Sequence, residues 1–466
     1  MIIATIGPIR MNSNSTDMIE TAWTIQSANA AHEAAKISCL EIVEAAFARA
    51  NDPGGEGSRT FRALREDAAR GEAQTQDRLR AAGCIASPLA GLPVSIKDNI
   101  DFAGEPTRGG TKLLEGAQPA RADAAVVARL KAAGAVIVGR TNMSELAFSG
   151  LGTNPFYGTP ANPFDRATRR IPGGSSSGAA ISVTDGMAIA ALGTDTGGSV
   201  RIPAALTGLT GFKPTQARVP RDGVLPLSTL LDCIGPLAAA LPDCALLDSI
   251  LAADPTPLPA IGERLRFCTA DDYMLDGADE TVLAAYDAAK QILLRANAEI
   301  TPLPRGAFDE IRDYNRRGTY SNVEAWERYG ELIRARPRHI DPRIAERILR
   351  GANIAPADIE TNTCERARMM ARFEQAMLSF DALIAPTVPI IAPRIADVES
   401  DDGFRRANAL ILRNPMTANL LDAPSLTIPC HGPGKAPVGL MLTGVRMSDR
   451  RLLAVGIELE ILLATR

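Results

Sequence analysis

Two glycine–serine clusters and one lysine carry the chemistry that stands out in this chain of 466 residues. "GTDTGGSVRIP" runs from Gly193 to Pro203, and "PGGSSSGAA" from Pro172 to Ala180. Adjacent glycines let a backbone turn inward, so that several N–H groups and a hydroxyl converge on one point. A serine nucleophile with its oxyanion donors needs that geometry. It also needs a proton acceptor, and the chain has only three histidines.

Two acceptors come into question. The pattern GxSxG at Gly174–Gly178, with Ser176 at its centre, matches the nucleophile elbow of an α/β-hydrolase-type serine esterase. That elbow requires a preceding strand and a later histidine. "RATRRIPGG" precedes it and does not read as a strand, and the only later histidines are His339 and His431. The other acceptor is Lys97, which closes the apolar run "LPVSIK". A lysine acts as a base only when neutral. Neutrality at pH 7 means lowering its pKa by about three units from ~10.4, or roughly 4–5 kcal/mol. Burial at a strand end does this by disfavouring the ammonium, and Ser–Lys pairs are a known variant of the serine triad.

The elements that must hold these groups follow from periodicity. Residues 16 to 82 read as helices. In "SCLEIVEAAFARAND" Ser38 and Glu41 form a capping box, and a more polar helix ends at Gly83. From there helices alternate with short buried strands: "LPVSIK", then "DAAVVARLKAAG" before "AVIVG", then "SGAAISVTDG" before "MAIAALGTD". This alternation predicts an α/β protein with a single large mixed, mostly parallel sheet covered by helices on both faces. Residues 240 to 380 are helix-rich. Strand patterns return in "FDALIAPTVPI" and "PSLTIPC…PVGLMLTG", before a final helix from about Asp449.

Composition narrows the function. Hydrophobic residues are 46% and charged residues 22%, ordinary for a globular chain with a large core. A net charge of −4 argues against a nucleic-acid partner, which needs a basic footprint. The seven cysteines form no CxxC pair, so reduced thiols of a cytoplasmic protein are expected rather than a metal site or disulfides. "MIIATIGPIRMN" lacks a signal-peptide cleavage pattern, and no apolar run reaches about 18 residues, so neither secretion nor a membrane is expected.

The set "GLPVSIKDN", "GRTNMSELAFS", "PGGSSSGAA" and "GTDTGGSVRIPA", in that order and with 78 and 24 residues separating Lys97, Ser175 and Ser199, resembles the amidase signature family. The resemblance implies one amidase domain over 1–466. Within it lie an N-terminal helical part (16–86), a catalytic core (87–240), a variable substrate-facing section (241–380) and a return to the sheet (381–466). It implies a Ser–cisSer–Lys triad, with Ser199 as nucleophile, Ser175 as bridging serine after a cis bond from Gly174, and Lys97 as base. The backbone nitrogens of Thr196, Gly197, Gly198 and Ser199 would form the oxyanion hole. Ser176 would support by hydrogen bonding, and Asp195 and Arg201 would brace the loop or form a structural ion pair. Asn142 and Glu145 are assigned structure rather than chemistry.

The implied reaction is cleavage of a carboxamide through an acyl-enzyme, with no metal or organic cofactor. The partner expected is a small-molecule amide. A homodimer is left open, and a second kind of subunit is expected only if the chain is the A-type component of an amidotransferase. Residues 301–350 hold eleven arginines, eight acids and no lysine. Arg312, Arg316, Arg317, Arg334, Arg336 and Arg338 would either bind a substrate carboxylate or cover solvated helix faces. Ala423 and Met441 depart from the family pattern and are expected near the acyl pocket.

Overall fold

The computed structural model describes residues 23–464 and turns the short apolar runs into eleven strands of one sheet. They are β1 (Phe61–Leu64), β2 (Pro93–Lys97), β3 (Val136–Thr141), β4 (Ala190–Asp195), β5 (Thr210–Lys213) and β6 (Cys233–Ala238). Then follow β7 (Arg266–Thr269), β8 (Glu299–Pro302), β9 (Ala382–Pro386), β10 (Ser425–Pro429) and β11 (Gly439–Thr443). Across the sheet the order is β1-β3-β2-β4-β6-β5-β10-β11-β9-β7-β8.

Strand pleating assigns side chains to two layers, because successive residues face opposite sides. Val94 and Ile96 of β2, Ile137 of β3 and Leu192 of β4 join one apolar cluster with the helices Ala125–Ala132, Leu241–Ala252, Glu280–Arg295 and Asp449–Ala464. On the other face Val136 and Val138 pack against the helix Cys39–Ala50, and Ala191 against the helix Ser177–Thr184. Helices thus cover both faces, as the alternation implies. The Ser38 capping box is present, with Ser38 Oγ accepting from the Glu41 N–H.

Parallel pairing does not dominate, which corrects the expectation of a mostly parallel sheet. Six of the ten neighbouring pairs are antiparallel. The parallel pairs are confined to β3-β2-β4 and β9-β7-β8. Crossover helices such as Ala125–Ala132 and Ser177–Thr184 serve the first group. In the centre, β10 and β11 are joined directly by the 430–438 loop, which needs no crossover. Residues 16 to 82 are also not all helical, since "FRAL" forms β1 and pairs with β3. The part of that stretch before Trp23 lies outside the described residues. β7 and β8 come from the helix-rich section and extend the same sheet.

Leu192 is fully buried in the central strand β4. Leu192→Ala is expected to lose about 2–5 kcal/mol of stability. This would appear as a lower urea midpoint at unchanged slope, whereas a loss under about 1 kcal/mol would mean that the layer repacks.

Candidate active site

β2 and β4 are parallel neighbours, and the site forms where both end. Alternation puts Ser95 and Lys97 opposite Val94 and Ile96, on the face covered by the helix Ser177–Thr184. Ser95 Oγ lies 2.8 Å from Ser182 Oγ of that helix. Two residues on, Lys97 Nζ lies 2.7 Å from Ser175 Oγ, 2.8 Å from Thr194 Oγ1 and 3.3 Å from the Thr194 carbonyl oxygen. Asn99 Nδ2 also donates to Thr194 Oγ1, at 3.0 Å.

Lys97 has no solvent exposure. Burial brings its pKa down to about 7, although Asp195 and Asp232 act to raise it. Asp232 is itself pushed up to about 6 by burial, against hydrogen bonds from the Thr196 hydroxyl (2.5 Å) and the Leu227 and Ser228 N–H groups.

The "PGGSSSG" loop is held by its backbone. The Gly174–Ser175 peptide is cis. Gly174 N–H donates to the Gly150 carbonyl, and Ser144 N–H to the Ser175 carbonyl. A Cβ at position 174 would stand 2.4 Å from Gly152 N and 2.7 Å from its Cα, so only glycine fits. Ser176 N–H donates to the Ser199 carbonyl at 3.3 Å and ties the two serine loops together. Ser176 Oγ is buried and donates to the Thr194 carbonyl at 3.4 Å. Among the described residues no hydrogen bond joins a histidine to Ser175, Ser176 or Ser199, and no strand enters the GxSxG loop.

Asp195 closes β4, and its carboxylate organises the second loop. It accepts from Gly198 N–H at 2.7 Å, Val200 N–H at 3.1 Å, Arg201 Nε and Nη2 at 3.1 and 3.0 Å, and Asn419 Nδ2 at 2.9 Å. Burial by itself would raise this carboxyl. Arg201, with help from Lys213 and Asn419, outweighs burial and holds it well below the usual carboxylate range. Arg201 and Asp195 therefore do both things expected as alternatives: they form a buried ion pair, and they brace the loop. One expectation is corrected here. The Gly198 N–H is occupied by Asp195, so it is not free for an oxyanion. The N–H groups of Thr196, Gly197 and Ser199 have no acceptor among the described residues.

Thr196, Gly197 and Ser199 line a cavity of about 600 Å³, roofed by residues 314–322, 343–354 and 401–416. Lys97 and Ser175 do not line it. Of the six arginines singled out in sequence, only Arg316 and Arg317 reach this cavity, and they pair with Asp313 and Glu365. Arg312 faces Asp276, Arg334 pairs with Glu331, and Arg336 and Arg338 are exposed. Ala423 and Met441 do not line the cavity either. Both are buried, and Met441 Sδ takes a hydrogen bond from Arg201 Nη1 at 3.5 Å. Asn142 donates to the Arg59 and Gly158 carbonyls. Glu145, raised to about 7 by burial, accepts from the Thr111 hydroxyl and the Asp341 N–H. Thr194, Asn99, Asp232 and Asn419 are the site residues that sequence reasoning missed. Thr194 and Asn99 carried a signal, as parts of "GTDTGGS" and "GLPVSIKDN".

The large mixed sheet with helices on both faces is shared with solved amide hydrolases. A solved amidase superposes with a TM-score of 0.85 at 32% identity, covering 94% of this chain and 99% of that one. The chain belongs to the Amidase family, whose profile matches residues 41–453. It is 35% identical over 402 residues to a 2-amino-5-chloromuconic acid deaminase of Comamonas testosteroni, covering 85% of this chain and 86% of that one. It is 36% identical over 462 residues to the A-type subunit of the glutamyl-tRNA(Gln) amidotransferase of Roseiflexus castenholzii, covering 90% and 92%. No described helix is long and apolar enough to cross a membrane.

Arg201→Met leaves the Asp195 carboxylate buried without its cation. The expected cost is about 3–5 kcal/mol, read as a lower unfolding midpoint. Arg201→Met with Asp195→Asn in the same chain should recover part of that loss, and no recovery would mean that the two do not act as a pair.

Proposed function

We propose that the protein hydrolyses a carboxamide C–N bond through an acyl-enzyme on Ser199. The observation that carries this reading is the 2.7 Å contact between Lys97 Nζ and Ser175 Oγ, in a place where burial brings the lysine to about 7. The neutral amine has two N–H groups and one lone pair. The N–H groups serve Thr194, and the lone pair faces the Ser175 hydroxyl.

Ser175 passes its proton to Lys97 and takes the proton of Ser199, whose oxygen attacks the carbonyl carbon. The oxyanion meets the N–H groups of Thr196, Gly197 and Ser199, each worth about 2.7–4 kcal/mol to the transition state. The proton returns through Ser175 to the leaving nitrogen, which departs as ammonia or an amine. Water then attacks the acyl-enzyme with the same groups acting in reverse, giving a carboxylic acid and free Ser199.

A second reading is the A-type component of an amidotransferase, supported by the 36% identity to the Roseiflexus protein. It requires glutamine as ammonia donor and a second protein to receive the ammonia. Glutamine hydrolysis that appears only with a co-purifying protein would favour it over the stand-alone amidase.

Labelling with a fluorophosphonate, followed by peptide mapping, tests the machinery. One adduct on Ser199 is expected, slowed about 10²–10⁴-fold in Lys97→Ala. An adduct on Ser176 would overturn the assignment in favour of an elbow-type esterase.

The pH profile gives a second check. The active form is the free amine, so kcat/KM should rise with pH through about 7 with unit slope and level off above it. A profile flat between pH 5 and 9 would exclude Lys97 as the titrating base.

A further inference from the structure

The roof of the Ser199 cavity is rich in arginine, and nearly all of that charge is already committed. Arg316, Arg317, Arg343, Arg350 and Arg405 each meet a carboxylate, from Asp313, Glu365, Asp341, Glu346 and Asp402 respectively. Arg413 has no acid partner among the described residues, but all three of its nitrogens donate to oxygens of Met274, Asp276 and Asn414. Arg347 is different. It lines the cavity, no carboxylate among the described residues lies within ion-pair distance of it, and Nη1 donates to the Phe148 carbonyl at 2.7 Å. Nε and Nη2 have no hydrogen-bond partner among the described residues. Its guanidinium stacks over the Phe148 ring at 4.7 Å, so its position is set by two contacts to one residue.

An arginine held in this way presents a fixed pair of donors, the geometry that takes a carboxylate bidentately. Burial and the nearby Arg350 bring its pKa down to about 10. Arginines outnumber acids in the cavity lining by seven to two, so the cavity is net cationic. Glu346 already carries Arg350 and Arg405, and Asp401 is exposed with Arg343 and Arg405 as charged neighbours.

We infer that Arg347 anchors a carboxylate on the substrate, and that the substrate class is a net-anionic amide such as the monoamide of a dicarboxylic acid, not a neutral amide or a zwitterionic amino-acid amide. This rests on the reading of Ser199 as an amide-cleaving nucleophile. Hydrolysis then gives a dicarboxylate and ammonia, with water as the only co-reactant.

The experiment compares glutaramate, valeramide and glutamine as substrates for the wild type, Arg347→Ala, Arg347→Lys and Arg334→Ala. Arg334 is an exposed arginine outside the cavity, so its variant matches the charge change alone. Fluorophosphonate labelling of Ser199 is measured for each protein. The wild type should prefer glutaramate to valeramide and glutamine in kcat/KM. In Arg347→Ala the glutaramate-to-valeramide ratio should fall by about 10- to 100-fold, carried by KM. Arg347→Lys should restore part of the ratio, and Arg334→Ala should leave it as in the wild type. A ratio unmoved by Arg347→Ala, or glutamine as the best substrate, would overturn the inference while Ser199 labelling stands. Absence of labelling in the wild type would overturn the amide-hydrolase reading itself, and the inference with it.

Discussion

Lys97 ends β2 with no exposure to water, and three oxygens of Ser175 and Thr194 are its only hydrogen-bonding neighbours among the described residues. Moving its pKa from 10.5 to about 7 amounts to roughly 5 kcal/mol of preference for the neutral amine. Two carboxylates oppose that shift, and their own pairing decides how strongly. Asp195 is compensated by Arg201 at 3.0 Å and by Asn419, so its field on Lys97 is blunted. Asp232 is pushed up to about 6 by burial, against hydrogen bonds from Thr196, Leu227 and Ser228, and its charge also favours the ammonium. Burial is the larger effect: it outweighs both carboxylates and brings the lysine to about 7.

The same groups set the shape of the loops. Asp195 fixes Gly198, Val200 and Arg201 by hydrogen bonds, and Asn419 reaches it from the helix Asp401–Leu420. A helix that roofs the cavity is thereby anchored to the Ser199 loop. Glu145 provides a second tie, accepting from Asp341 at the start of the helix Pro342–Leu349. Arg347, further along that helix, rests on Phe148 of the lower layer. The roof is thus tied to the layer beneath it at Asp195 and at Glu145.

Glycine spacing made the two serine loops legible in sequence, because glycine is required wherever backbone approaches backbone, as at Gly174 against Gly152. Lys97 was legible as a polar residue closing an apolar strand. Asn419 and Asp232 were not, since they reach Asp195 and Thr196 only through the fold, over 224 and 36 residues of chain. Arg347 was hidden among eleven arginines of one segment, and what separates it from the others is a missing partner, which only coordinates reveal. Strand direction was misjudged for a related reason. β5, β6, β10 and β11 are short and glycine- or proline-bearing, and their antiparallel pairing depends on which strands become neighbours, not on any local period.

Burial that keeps a lysine neutral also removes it from the substrate, and these two demands conflict in any direct Ser–Lys pair. Here Ser199 opens to the cavity, whereas Lys97 and Ser175 lie beneath it with no exposure. Ser176 N–H holds the Ser199 carbonyl and fixes the distance between the two levels. In the proposed relay a second hydroxyl is what lets a dry base serve a wet nucleophile, since a hydroxyl can give one proton while taking another and itself stay neutral, the charge arriving on Lys97. The cost of desolvation then falls on a residue that never meets solvent, and the cavity above is free to carry cationic groups for recognition without shifting the base through direct contact.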